Sequence, residues 1–281
     1  MAAAACALPS LAVLAFALHR LLAGLPDTAS LQDPAWVRQR FALGQWTALQ
    51  DCSPLAVRAI LLSEDDTFFR NGGLRLDEVG SAAWEDLLKA RYERGASSLT
   101  QQVVKNAFLG KQKTLGRKAR EIVLALRADR TVGKRRLLED YLNLAEWGPH
   151  RERGIAWAAA AYFGTSPAGL SARDGALLSW LLPDPHGRGR LLLKGELPRR
   201  ARRHVHLLLE RLCAEGALSA AEVEAQEQRP WPFERPGRPA GNPRAGAADN
   251  SAKDAADGDA KDAADGDGPG AGATDADDKE P

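Results

Sequence analysis

Apolar residues recur along most of this chain at spacings of three and four, the period of an amphipathic helix, and almost nowhere alternate with period two. The pattern predicts a mainly α body. Ser53-Pro54 supplies a cap and a first-turn proline for the helix LAVRAILLSED, with Leu55, Ala59, Ile60 and Leu62 on its buried side. An amphipathic helix is expected from Asp77 to Arg94, and a polar helix start at Ser97-Ser98 leads into TQQVVKN. Leu109 to Gly116 is short, basic and only partly helical. Helices follow from Arg117 to Arg130 and from Lys134 to Asn143, the latter continuing to Gly148. Next, Arg153 to Gly164 reads as an Ala-rich helix buried nearly all round. Ser171 to Asp174 forms a capping-box start for GALLSWLL, which Pro183 and Pro185 should stop. A basic helix from about Pro198 to Ala214 and a short one after Ser219 complete the pattern.

Both ends differ from this body. Residues 2 to 18 are apolar, His19-Arg20 interrupt, and apolar sequence resumes to Leu25. About 20 apolar residues span a bilayer, so the segment qualifies as an anchor if the interruption lies near an interface. A cleaved signal peptide and a hydrophobic helix packed on the domain are the alternatives, and the signal peptide lacks its basic n-region. Pro26 to Asp51 reads as a linker and lead-in, with Trp36, Phe41 and Trp46 as packing or interfacial anchors. Past Pro230, prolines and glycines multiply, and KDAADGDA is followed directly by KDAADGDG. Such sequence has no large apolar residue with which to build a core, so a disordered acidic tail is expected. Its DGD triplets lack the remaining ligand positions of a calcium loop.

The net charge of +1 conceals this division. Residues 245 to 281 hold eleven acids against three lysines, a net of −8, which leaves about +9 on the rest. A basic body suits an anionic partner, but no nucleic-acid motif with interleaved aromatics is present. Cys6, Cys52 and Cys213 show no metal-ligand spacing. Cys52 and Cys213 either pair in an oxidising compartment or remain free.

Two stretches carry candidate chemistry. After Ser97-Ser98, spacings of three and four put Gln101, Gln102, Lys105 and Asn106 on one side of a helix and leave Val103, Val104 and Phe108 for the other. Backbone N–H groups, hydroxyls and a lysine at a helix start suit a phosphate. A capped helix with a solvated polar face explains the same residues. Glu64-Asp65 end a helix, where negative charge opposes the dipole at a cost folding alone does not require. That points to function, although Asp65 paired with an arginine and Glu64 merely solvated is the plainer account. Lys118 and Glu121, at i,i+3, are equally explained by a surface ion pair.

EDDTFFRNGG, GASSLTQQVVKN, RKAREIVLAL, KRRLLEDYLNLAEWG and RGIAWAAAAYFG stand in the order and spacing of the five motifs of the peptidoglycan glycosyltransferases, glycosyltransferase family 51. The resemblance covers roughly Ser53 to Leu212. It is closest to the monofunctional biosynthetic members, since no Ser-x-x-Lys or Lys-Thr-Gly arrangement is present. It implies a lysozyme-like, two-lobed α fold divided as membrane anchor (1–25), linker (26–52), glycosyltransferase domain (53–230) and disordered tail (231–281). The implied reaction polymerises lipid II into glycan strands, with inversion at the donor sugar and loss of undecaprenyl diphosphate.

A sugar 4-hydroxyl needs a carboxylate to take its proton, and the resemblance puts Glu64 at the family's general-base position. Lys105, Arg117 and Lys118 would stabilise charge on the leaving diphosphate. Glu121 falls on the second glutamate, near the diphosphate directly or through a divalent ion, Mg or Mn; no cofactor is otherwise required. Ser97, Gln102 and Asn106 would position substrate or hold the helix, while Asp65, Asn71, Tyr141 and Asn143 support the cleft. The implied partners are lipid II, the growing glycan, the membrane and other cell-wall synthesis proteins. The implied location is the bacterial inner membrane, single-pass, with the catalytic domain on the periplasmic side.

The sequence departs from the family pattern at Asn71, where most members have His, at Ser98, where Thr is usual, and at Arg136, where some carry an acid. Asn and Ser keep hydrogen-bonding capacity, whereas Arg136 counts against a mechanism that relies on a carboxylate there. Two rivals remain: a lytic transglycosylase or lysozyme, in which the glutamate acts as an acid that cleaves glycan, and a catalytically weak lipid II-binding scaffold. The clustered cations count against the first.

Overall fold

The computed structural model describes residues 23–74, 97–110, 112 and 114–234. The apolar N-terminal segment up to residue 22, the helix expected from Asp77 to Arg94, and the acidic tail from residue 235 lie outside the described residues. Within them the protein is mainly helical, with no strand beyond an isolated bridge between Glu146 and Arg153. No described helix is long and apolar enough to cross a membrane.

Among the described residues ten α-helices run in order: α1 (Pro34–Arg40), α2 (Pro54–Glu64), α3 (Leu99–Phe108), α4 (Leu115–Thr131), α5 (Lys134–Leu144), α6 (Ile155–Ala158), α7 (Ala172–Leu181), α8 (Pro185–Leu193), α9 (Arg199–Ala214) and α10 (Ala220–Gln228). The caps read from sequence begin several of them. Ser53 accepts from Ala56 N, and Ser98 with Gln101, Ser171 with Asp174 and Ser219 with Glu222 each close a reciprocal capping box.

Two packing groups emerge. In the first, α7 lies buried between α2 and α9, with α10 against α9. In the second, α3 packs on both α4 and α5. The C-terminal end of α2 meets α3 and α5 through hydrogen bonds from Gln102 and Tyr141 to Glu64, and the buried apolar residues of both groups form one continuous core.

Several expectations are corrected. Leu55 is exposed at the start of α2, whose buried residues are Ala56, Val57 and Ala59 to Leu62. Pro185 starts a helix as well as following one: Asp184 accepts from Gly187 N at 2.9 Å, and a proline at the first helical position forfeits no hydrogen bond. The Ala-rich stretch is a short α6 that widens into a π-helical turn, Ala159–Phe163, ended by Gly164 at φ 64°. Ala160 and Ala161 face solvent there while Tyr162 and Phe163 turn inward, so burial is not all round.

The linker and lead-in stretch is packed on the domain, with Trp36, Phe41 and Trp46 against the core. Asp27 and Asp33 cap a 3-10 turn (Thr28–Gln32) and α1, and Leu31 and Val37 are completely buried. Packed structure also continues past residue 230: Trp231 is buried, stacks on Phe233 and lies beneath the Arg173 guanidinium at 3.5 Å from the ring centre. Cys52 and Cys213 are both free thiols, and burial raises Cys52 to about 12.

A close helix approach rests on Gly175. A Cβ there would lie 2.3 Å from the Ala56 carbonyl oxygen and 2.6 Å from the Ala56 Cα, so α7 carries a glycine in mid-helix to let α2 touch its backbone. Gly175→Ala improves intrinsic helix propensity yet forces the pair apart. It is expected to lower stability by about 1–3 kcal/mol in a denaturant melt, the usual cost of overpacking.

Candidate active site

The site is built outward from the last residue of α2. Glu64 leaves the helix pointing at α3 and α5, where its Oε2 accepts from Gln102 Nε2 at 3.0 Å and from the Tyr141 hydroxyl at 3.4 Å. Burial pushes its carboxyl above the ordinary glutamate range. The hydrogen bonds from Gln102 and Tyr141 and the charge of Lys105 oppose that rise, and Asp65 adds to it. The result is a carboxylate more basic than one in water. Tyr141 is buried, and burial together with Glu64 holds its hydroxyl well above the usual tyrosine range, so it serves as a donor.

Asp65 turns the other way. It is 1 % exposed and takes hydrogen bonds from the Leu99 backbone N–H at 2.9 Å, the Thr67 hydroxyl and the Asn71 amide. Leu99 is the first residue of α3, so Asp65 satisfies an N-terminal N–H that the helix leaves unpaired and complements its dipole. The adjacent carboxylates divide their work: Asp65 binds α3 to the end of α2, and Glu64 is left facing the reaction side.

One helix further, α3 repeats the arrangement with the second glutamate. Glu121 on α4 is 2 % exposed, and its oxygens are met by Lys118 at Oε1 and by Arg117 Nη1 at Oε2, 2.7 Å. The Gln101 amide lies 3.5 Å from Oε1, and Lys118 is also 3.5 Å from the Ser97 hydroxyl. This is a buried cluster where a surface ion pair was the simpler expectation.

Lys105, on the same helix, interacts electrostatically with both glutamates. Its side chain is exposed, yet its ammonium is pulled below the ordinary lysine range first by partial desolvation; Glu121 opposes that, Lys118 and Arg117 reinforce it, and Glu64 opposes it more weakly. A side chain with one face open to solvent and the rest lined by protein meets both conditions. Asn106 is partly exposed on the same helix.

The structure thus brings Glu64, Gln102, Lys105, Glu121, Arg117, Lys118 and Ser97 around α3, with Asp65, Asn71 and Tyr141 supporting them. Two positions differ from the sequence reading. Gln101 is wholly buried, its side chain spent on the capping box and directed at Glu121, so it does not belong to the solvated face. Asn143 lies behind the site, where it clamps Thr47 by accepting from its N–H and donating to its carbonyl. Glu139 also went unnoticed; it accepts from Trp46 Nε1 and Leu49 N and holds the same segment on α5.

The family model described as Transglycosylase matches residues 35–212. This chain belongs to the transglycosylase family. Among its relatives, the biosynthetic peptidoglycan transglycosylase of Rhizobium meliloti (strain 1021) is 41% identical over 166 residues, which is 57% of this chain and 70% of the relative. That of Brucella suis biovar 1 (strain 1330) is 41% identical over 141 residues, 50% of this chain and 62% of the relative. That of Nitrobacter hamburgensis is 39% identical over 141 residues, with the same coverage.

The transglycosylase's departures find local explanations. Ser98 caps α3 and donates to the Gly73 carbonyl, so the smaller hydroxyl suffices. Arg136 lies over the Trp46 ring, donates to the Leu31 carbonyl at 2.8 Å and pairs with Glu139 and the fully buried Asp140. Burial raises Asp140 to about 8, and Arg136 opposes that rise, so this arginine is engaged by Glu139, Asp140 and Leu31.

A divalent ion does not fit Glu121 as placed. Both of its oxygens already face cations, and no group of three or more acids, histidines or cysteines gathers among the described residues.

Stability carries the mark of this arrangement. A carboxyl whose folded pKa is raised favours the folded state below its unfolded pKa and loses that contribution as pH rises through the folded value. At neutral pH an ionised Glu64 therefore costs stability. Glu64→Gln is expected to melt at a higher temperature than wild type at pH 7, with the gain disappearing as pH falls below the ordinary glutamate range; thermal melts across pH check it.

Proposed function

We propose that this protein, a peptidoglycan glycosyltransferase by family, polymerises lipid II by an inverting transfer in which Glu64 is the general base. The acceptor sugar's 4-hydroxyl attacks C1 of the donor sugar, its proton passes to Glu64, and the bond from C1 to the diphosphate oxygen breaks to release undecaprenyl diphosphate. The enzyme's contribution is to supply a base of raised basicity on one side of the transferred sugar and fixed positive charge on the other.

The observation that carries this reading is α3. Its Gln102 reaches Glu64, its Gln101 points to Glu121, and its Lys105 ammonium responds to the charge of both carboxylates. One rigid helix therefore sets the spacing between base and cations. Arg117 adds a buried Nε that lacks a hydrogen-bond partner, a donor suited to a diphosphate oxygen. Glu121, held between Arg117 and Lys118, orients those cations without needing a metal. The names of the relatives, all biosynthetic, favour synthesis over the cleaving alternative.

The reading extends to the lysozyme-like two-lobed form of the fold and to a position in the cell envelope. There, residues 1–25 would anchor the chain in the inner membrane as a single span with the domain outside. Lipid II and the nascent glycan are its substrates, and other cell-wall synthesis proteins its partners.

Purified protein incubated with labelled lipid II tests the reading: polymer is expected, and fragmentation of added glycan or no turnover would overturn it. Glu64→Gln should reduce the rate about 10²–10⁴-fold, as loss of a general base does. The acid limb of the rate profile should lie above the ordinary glutamate range, since burial raises Glu64. Lys105→Met or Arg117→Met should lower kcat about 10²–10³-fold, the scale for losing one preorganised charge partner. Chelation by EDTA should leave the rate unchanged.

A further inference from the structure

Lys134 is the first residue of α5, where a positive side chain opposes the helix dipole. The first turn of α5 reads Lys-Arg-Arg and holds no acid to offset it. Folding the helix does not ask for a lysine there. Its ammonium is nonetheless held in place, 17 % exposed, 2.6 Å from Asp129 Oδ1, 2.8 Å from Asn71 Oδ1 and 4.6 Å from the centre of the buried Phe68 ring.

The contact with Asn71 has a directional consequence. An asparagine amide can present either its oxygen or its nitrogen by a half-turn about the last torsion, and hydrogen bonds decide which. An ammonium only donates, so Lys134 requires the Asn71 oxygen to face it, and the Gly73 N–H at 3.2 Å reinforces that choice. Asn71 Nδ2 is thereby turned onto both oxygens of Asp65, at 3.0 and 3.1 Å. Asp65 in turn holds Leu99 N at the head of α3, and it directly follows Glu64. Were the amide reversed, its oxygen would confront a buried carboxylate, an arrangement that repels.

We propose that Lys134 is a positioning residue for sugar transfer: by fixing the orientation of the Asn71 amide, it holds Asp65, and through Asp65 the spacing between Glu64 and α3. The proposal rests on the reading of Glu64 as the base, and it explains how an asparagine serves at this position. Asn71 has no charge of its own with which to hold Asp65, and the neighbouring ammonium supplies the polarity the amide needs. Asp129 completes the arrangement by fixing Lys134 from the opposite side.

The test compares Lys134→Met, Lys134→Arg, Asn71→Ala and the Lys134→Met/Asn71→Ala double variant in lipid II polymerisation, beside hydrogen exchange of the Leu99 and Gly73 amides. Lys134→Met should lower kcat about 10–100-fold, the scale of a misplacement of about 1 Å, with KM within twofold of wild type. Lys134→Arg should recover most of the loss. The double variant should be no slower than Asn71→Ala alone, because a residue acting through Asn71 has nothing left to act on. Leu99 and Gly73 should exchange faster in Lys134→Met and at wild-type rates in Lys134→Arg.

A kcat within twofold of wild type in Lys134→Met, additive losses in the double variant, or unchanged exchange at Leu99 would overturn the proposal. If the wild-type protein itself fails to polymerise lipid II, the functional reading falls. The exchange measurements then still decide whether Lys134 acts through Asn71 on Asp65.

Discussion

Holding the half-buried Glu64 carboxylate among fixed donors is the constraint on which the rest of this structure depends. An ionised group in such a place is costly, and the cost is met by donors that must stay put: the Gln102 amide, the Tyr141 hydroxyl and the charge of Lys105. Each comes from a different point on α3 or α5, so those helices must be fixed against the end of α2. Asp65 does this by accepting from the Leu99 N–H. The base and the anchor that holds its surroundings are thus consecutive residues in the chain.

The same economy appears on the cationic side. Glu121 is buried between Arg117 and Lys118, which holds both long side chains in one geometry before any ligand arrives. Flexible cations would have to be ordered at the moment of reaction; these are ordered by folding. Because Gln101 and Gln102 are neighbours on α3, a shift of that helix would disturb both glutamates together. The reciprocal cap between Ser98 and Gln101 makes its first turn a stable reference for both.

Much of this was legible in the sequence because it is local. Serine and aspartate before apolar runs marked the helix starts, and the Glu64-Asp65 carboxylate pair ending α2 stood out as an electrostatic oddity. What escaped depends on contacts between distant segments. Gln101 has the spacing of a surface amide, and only the packing of α4 beside it makes it buried. Pro185 looks like a terminator until Asp184 is seen to cap the helix it begins. The 26–52 stretch lacks a long periodic pattern, so its attachment, through Leu31, Val37 and the Glu139 and Asn143 hydrogen bonds, could not be read from spacing. Lys134 did leave a signal, a cation at a helix start with no acid beside it, but a signal of that kind names no partner.

The most direct measurement of the central claim compares two titrations of the same group. The ionisation of Glu64, followed by carbon-13 NMR of its side-chain carboxyl with Glu64→Gln assigning the resonance, is set against the acid limb of single-turnover polymerisation. The account predicts one midpoint for both, above the ordinary glutamate range. A carboxyl that titrates as it would in water, or a rate that falls at a pH where Glu64 stays ionised, would contradict it.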